Sequence, residues 1–202
     1  MRVLKLGGSL LDLADLPVRF RTWHASQPTG RDMIVVGGGQ VVEAVRDLDR
    51  CHDLDANLCH WTCVDLLEST AELAAKILGG LPVIDSLDQL REAETLSPVI
   101  VRVSAFYRRD SRANWGLPET WETTTDSLAA CLAQAVGASE LVLLKSCGES
   151  ESLVAAGAGY GAEHRHVKLN AWSDAGWVDD AFSLCARDIP QIRMVDLRNA
   201  SV

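Results

Sequence analysis

The sequence predicts an α/β fold built around a mainly parallel sheet, and three observations carry that reading. A short apolar strand (Arg2, Val3, Leu4, Lys5, Leu6) breaks on Gly7, Gly8 and Ser9 and gives way to helical spacing. The same unit recurs at Asp32, Met33, Ile34, Val35 and Val36, which run into Gly37, Gly38 and Gly39 and then a second helical pattern. A third apolar strand, 140–145, again follows a helical stretch. Strands alternating with amphipathic helices are the mark of βαβ units.

Taken in order, 10–26 reads as a helix with apolar Leu11, Leu13, Leu16, Val18, Phe20 and Trp23, and Pro17 marks its true first turn. Pro28, Thr29 and Gly30 form a turn before the second strand. Residues 40–49 are helical through Val41, Val42, Ala44, Val45 and Leu48. A long helix is expected over 57–78, with a break near Ser69, stopped by Gly79 and Gly80. A short strand follows at 81–85, Ser86 caps a helix over 87–93, and 98–103 is another strand. Residues 104–122 read as a long irregular loop, a form that often carries function. Thr123, Thr124, Thr125, Asp126 and Ser127 open a helix that ends at Gly137. Residues 149–166 are small, polar and glycine-rich and read as a loop; 170–186 is helical with an interruption at Gly176, and 191–197 is the last strand.

Composition narrows the function classes. The chain has 202 residues, 48% hydrophobic and 23% charged, enough for one large domain or one domain with two lobes. Its N-terminal apolar run is cut by Lys5 and the glycines, which fits neither a signal peptide nor a membrane span, so a cytoplasmic protein without membrane partners is expected. A net charge of −9 makes it a poor nucleic-acid binder, and the basic stretches at 102–112 and 164–168 read as solvated loops. Cys51, Cys59, Cys63, Cys131, Cys147 and Cys185 include no Cys-x-x-Cys pair and read as core residues or free thiols. Cys59 and Cys63 share a helical face near His52 and His60, but no second ligand pair has zinc spacing. His60 and Trp61 read as a packed tryptophan beside a satisfied histidine.

The candidate chemistry lies at the C-terminal ends of the strands, where ligands of open α/β sheets bind. Adjacent glycines let a backbone approach closely, and helix starts favour anions. Two such loops suggest two ligand groups brought together. Lys5 adds a full positive charge, and Lys145 repeats it at the tip of the 140–145 strand. Asp126 opens the helix between them in sequence. Phosphoryl transfer needs positioning and positive charge more than covalent chemistry. The simpler alternatives are a snorkelling lysine at Lys5, a plain turn at Gly37, Gly38 and Gly39, a helix cap at Asp126 and a surface strand end at Lys145.

Lys5-x-Gly7-Gly8-Ser9, the triple glycine at 37–39, Thr125-Asp126-Ser127 and the strand ending at Lys145 occur in that order. This arrangement resembles the amino acid kinase superfamily, which includes acetylglutamate kinase, aspartokinase, uridylate kinase and carbamate kinase. The stretches 121–129, 143–146 and 176–179 resemble its compact branch acting on an aminomethyl-furan-methanol phosphate in methanofuran synthesis, a part of one-carbon metabolism. The resemblance implies a three-layer αβα sandwich over the single domain 1–202, with an acceptor-side lobe at 1–115 and a nucleotide-side lobe at 116–202. It implies ATP and Mg²⁺ as cofactors, a small-molecule phosphoacceptor and a homo-oligomer, with no dedicated metal ligands on the chain. Lys5, Asp126 and Lys145 take the catalytic roles, Asp126 orienting the lysines. Gly7, Gly8, Ser9, Ser146, Gly148 and Asp179 are implied on the phosphate or nucleotide side. Gly37, Gly38, Gly39, Thr125 and Ser127 are implied on the acceptor side. Many relatives carry Asp-Gly after the Lys145 strand, where this chain has Ser146, Cys147, Gly148 and Glu149. A dinucleotide oxidoreductase fits less well, because its G-x-G-x-x-G spacing is absent, as is the Gly-Lys-Ser/Thr of a Walker NTPase. A non-catalytic nucleotide-binding or storage protein on the same fold is the other reading.

Overall fold

The computed structural model describes residues 1–92, 98–110, 115–146, 151–155 and 162–199. Seven strands form one sheet: β1 (Arg2–Leu6), β2 (Asp32–Val36), β3 (Val83–Ile84), β4 (Val99–Val101), β5 (Glu140–Lys145), β6 (Glu151–Ala155) and β7 (Gln191–Asp196). Their order is β3-β4-β2-β1-β5-β7-β6. All neighbours pair in parallel except β6, which runs antiparallel to β7 at the edge. The helices are α1 (Leu16–Ala25), α2 (Gly39–His52), α3 (Ala56–Ile77), α4 (Leu87–Glu92), α5 (Thr125–Ala135), α6 (Ala162–Asp174) and α7 (Phe182–Ala186). The result is the αβα sandwich expected from the sequence.

The strands are buried on both faces, so each feeds two cores. Val3, Met33, Val35, Leu141 and Leu143 face one core with Trp61, Val64, Leu67, residues 128–133 of α5, and Phe182, Cys185 and Ala186 of α7. Leu4, Leu6, Ile34, Val36, Val142 and Leu144 face the other, with Leu10, Leu16, Phe20 and the C-terminal half of α3. α5 is buried from Thr125 through Ala133, because it packs across the middle of the sheet on β1, β2 and β5. That position sets its N-terminus at the sheet edge where the glycine loops lie. At the other end of β1 and β2, Arg2 donates two hydrogen bonds of 2.7 Å to the buried Asp32 carboxylate, which pins their register.

Local expectations fare unevenly. Pro17 does sit in the first turn of α1, where its missing N–H has no helical partner to lose. Residues 8–12 form a separate 3-10 turn rather than part of that helix. α3 runs unbroken through Ser69, whose side chain is exposed and leaves the helical ladder alone. The stretch 149–166 holds an edge strand and the start of α6, not only loop, within its described residues. Its strand is fixed by pairing with β7, a long-range contact that composition does not reveal.

Candidate active site

The two glycine loops meet backbone to backbone. The Gly7 N–H donates to Leu144 O and the Gly37 N–H to Leu6 O, both at 2.8 Å, so each loop continues its parallel ladder by one bond. Beyond that point no side chain fits between them. A Cβ on Gly8 would stand 2.0 Å from Gly39 N and 2.9 Å from Gly37 C. One on Gly37 would stand 2.6 Å from Gly8 N, and Gly39 also holds φ +54° as it starts α2. The glycines are therefore needed first for the loops' contact with each other. Gly8→Ala is expected to cost about 1–3 kcal/mol by overpacking against rigid backbone. A scan should show a melting temperature lower by roughly 2–12 °C; unchanged melting would mean that the loops do not touch.

Beneath the loops lies a charge clamp. Side chains alternate along a strand, so Lys5 on β1 and Lys145 on β5 share the α5 face of two adjacent strands. Both reach Asp126 in the first turn of α5. Lys5 Nζ stands 2.9 Å from Asp126 Oδ1 as an ion pair, and Lys145 Nζ donates to Asp126 Oδ2 at 2.7 Å. Burial alone would push the Asp126 carboxyl up, but Lys145 and Lys5 together hold it below the usual carboxylate range. Burial, then the neighbouring Lys145 charge, pulls Lys5 down to about 8 against the attraction of Asp126. The clamp thus carries two cations on one fixed anion, a net positive charge at the cleft floor.

The N-terminus of α5 is tied down from behind. Thr124 is its N-cap, accepting from Asp126 N at 3.5 Å, so Asp126 sits inside the first turn rather than at the cap. The Asp179 carboxylate accepts from Thr124 N (2.9 Å), Thr124 Oγ1 (2.7 Å), Ser127 N (3.1 Å) and the Ser127 hydroxyl. Burial, then the Asp126 charge, pushes Asp179 up to about 6 against the hydrogen bonds from the Ser127 hydroxyl, the Thr124 hydroxyl and the Ser127 N–H. Asp179 therefore holds the helix start, and the fully buried Ser127 hydroxyl is engaged by Asp179. Both stand one step behind the residues on the cleft.

The other sequence-predicted residues converge. Ser9 Oγ and Ser146 Oγ are 2.7 Å apart, linking the first turn to the tip of β5. Lys5, Gly8, Ser9, Gly37, Gly38, Gly39 and Thr125 line one cleft of about 400 Å³. Gly148 lies outside the described residues, as does Cys147. Asp12, Gln40, Glu43 and Arg46 also line the cleft and were missed by sequence reasoning. The last three follow the triple glycine on the first turns of α2, and that proximity is the signal that could have found them. His60 and Trp61 are packed as expected: Nε2 of His60 accepts from the Tyr107 hydroxyl at 3.0 Å, its Nδ1 faces Thr120 O at 3.3 Å, and Trp61 Nε1 donates to Glu119. Among the described residues, no three His, Cys, Asp or Glu side chains converge as a metal site. No described helix is long and apolar enough to cross a membrane.

Comparison with known proteins bears on the fold. No family model matches the chain. It is 25% identical over 144 residues to (5-(aminomethyl)furan-3-yl)methyl phosphate kinase of Methanocaldococcus jannaschii. The match covers 71% of this chain and spans 64% of the length of that curated relative. Among solved structures, uridylate kinase from Archaeoglobus fulgidus superposes with a TM-score of 0.64 at 17% identity, over 96% of this chain and 89% of the other. UMP kinase from Ureaplasma parvum gives 0.59 at 17% identity, over 92% and 83%. Aspartate kinase from Synechocystis gives 0.58 at 17% identity, over 96% of this chain and 40% of the larger enzyme. The chain thus has the amino acid kinase fold of these structures and is similar in sequence to a kinase that acts on a furan-methyl phosphate.

Proposed function

We propose that the chain is an ATP-dependent kinase that transfers the γ-phosphoryl group to a small acceptor that is itself a phosphate monoester, of the furan-methanol phosphate kind. The observation that carries this reading is the Lys5–Asp126–Lys145 clamp beneath two abutting glycine loops. The sequence relative supports the acceptor type, since its name makes a phosphate ester the substrate. A one-carbon cofactor pathway would follow from that acceptor.

In the transfer, an oxygen of the acceptor phosphate forms a bond to the γ-phosphorus. The bond from that phosphorus to the bridging oxygen breaks, and ADP leaves with the electron pair. The acceptor is already an oxyanion, so no base must remove a proton. That suits Asp126, whose two oxygens are committed to lysines. Lys5 is placed to neutralise charge on the moving group and Lys145 charge on the nucleotide side. Mg²⁺, held chiefly by nucleotide phosphates as is usual for this ion, would supply further charge neutralisation. The cleft offers Asp12 and few other acids, consistent with an ion that arrives with its nucleotide.

Purified protein incubated with Mg-ATP and a panel of phosphate monoesters, carboxylates and alcohols should release ADP only with a phosphate monoester. ATP binding without ADP release for any acceptor would instead favour a non-catalytic nucleotide-binding protein. The clamp also sets a pH dependence. Because kcat/KM reports the free enzyme, it should fall as pH rises through about 8, where Lys5 loses its charge. A profile that stays flat from pH 7 to 9.5 would remove Lys5 from the chemistry.

A further inference from the structure

A second, smaller cavity opens from the cleft. It holds about 60 Å³ and shares Gly38, Val42, Arg46, Thr124 and Thr125 with the cleft above. Its walls are Val42, Cys63, Val64, Leu67, Trp121 and Leu128, contributed by α2, α3, α5 and the loop before α5. At about 10–15 Å³ per water, it has room for roughly four to six water-sized groups. That is one five- or six-membered ring, and too little for a nucleobase with its ribose.

The slot is nearly free of charge. His60 at its base has both ring nitrogens engaged, and burial pulls its pKa below the ordinary value, so it stays neutral. Burial pushes the Cys63 thiol up to about 11. The exception is Arg46 at the mouth. Its guanidinium lies over Trp121, 4.5 Å from the ring centroid, and Trp121 is held in turn by donating to Asp49 at 2.7 Å. Glu43 approaches Arg46 Nε only to 3.4 Å, and that buried nitrogen makes no hydrogen bond. A buried guanidinium nitrogen without an acceptor is costly unless a ligand supplies one.

The geometry points to this slot as the ring pocket of the acceptor: a single neutral ring enters between α2 and α3, and its phosphate lies in the cleft between Arg46 and Lys5. This rests on the kinase reading of the cleft and goes beyond it by fixing ring size and naming the residue that takes the acceptor's existing phosphate. Trp121 underlies the Arg46 guanidinium, and Arg46 lines both the slot and the cleft, so it stands where an oxyanion at their junction would lie.

Calorimetry on the full chain, with a non-hydrolysable ATP analogue present, tests it using methyl phosphate, furan-3-ylmethyl phosphate, naphthalen-2-ylmethyl phosphate and UMP. Furan-3-ylmethyl phosphate should bind at least tenfold more tightly than methyl phosphate, and the two larger esters no better than methyl phosphate. Arg46→Ala should weaken the furan ester by about 10–100-fold while the ATP analogue binds as before. Cys63→Phe, which fills the slot, should reduce the furan ester to the level of methyl phosphate. Equal binding of the furan and naphthalene esters, or an Arg46→Ala protein that keeps full affinity, would overturn the assignment even if ADP forms. Ring selectivity without ADP release would uphold the slot and remove the kinase reading instead.

Discussion

Replacing Lys5 by methionine should lower kcat about 10²–10³-fold, the usual cost of losing one group that stabilises transition-state charge. The same change should leave the folded protein as stable as before, or more so, at neutral pH. The two effects have one cause. Lys5 is buried, and burial is the largest influence on its pKa, which falls from 10.5 to about 8. A difference of that size corresponds to roughly 3 kcal/mol spent holding the ammonium charged below pH 8. The unfolded chain binds this proton up to pH 10.5 and the folded one only up to about 8, so wild-type stability rises with pH across that window. Methionine has a similar volume and no charge to desolvate, and Asp126 keeps Lys145 as its partner. The advantage of the variant should therefore be greatest near pH 7 and vanish toward pH 10.5. Paired thermal melts at pH 7 and pH 10, with ADP release measured at pH 7, check both arms. A variant that melts well below wild type at pH 7 would make Lys5 structural; one with unchanged turnover would make it a bystander.

What the sequence made legible follows from what is local in the site. Lys5 and Lys145 were visible because each ends a buried strand, and Asp126 because hydroxyls and an acid open a helix. The period of two along a strand puts both lysines on one face, given that β1 and β5 are neighbours. That neighbourhood is a crossover between elements far apart in the chain, and no local pattern encodes it. The same limit explains Asp179. Its partners Thr124 and Ser127 lie more than fifty residues away, so its place behind α5 was hidden while its motif position was not. The glycines carry a second demand that no local pattern encodes: Gly8 against Gly39 is a contact between loops about thirty residues apart in the chain. The slot beside the cleft was invisible because its walls come from three helices and a loop, each with ordinary apolar spacing. β6 escaped because a short edge strand is fixed by its partner β7 rather than by its own composition.

Asp126→Ala should act in the opposite direction on stability from Lys5→Met, although both residues belong to one clamp. Removing the carboxylate leaves two ammonium groups close together in a buried site, with no counter-charge between them. Breaking a buried ion pair from one side costs about 3–5 kcal/mol, because the remaining charge is left uncompensated. For a chain of this length that is a melting temperature lower by roughly 6–20 °C. Lys5 can relieve part of the strain by losing its proton, since its pKa is already depressed and the attraction of Asp126 that opposed the fall is gone. The loss should therefore shrink as pH rises toward 8, where Lys5 of the variant has already given up its proton, and shrink again in acid, where Asp126 of the wild type is itself protonated. Activity should vanish with it, because a neutral Lys5 has no charge to place on a moving phosphoryl group. A double variant, Lys5→Met with Asp126→Ala, separates the two contributions. It removes one cation along with the anion, so it should melt above Asp126→Ala alone while remaining inactive. Purely additive melting temperatures in that cycle would show that Lys5 and Asp126 do not act on each other, and the clamp would then not be the unit on which the kinase reading rests.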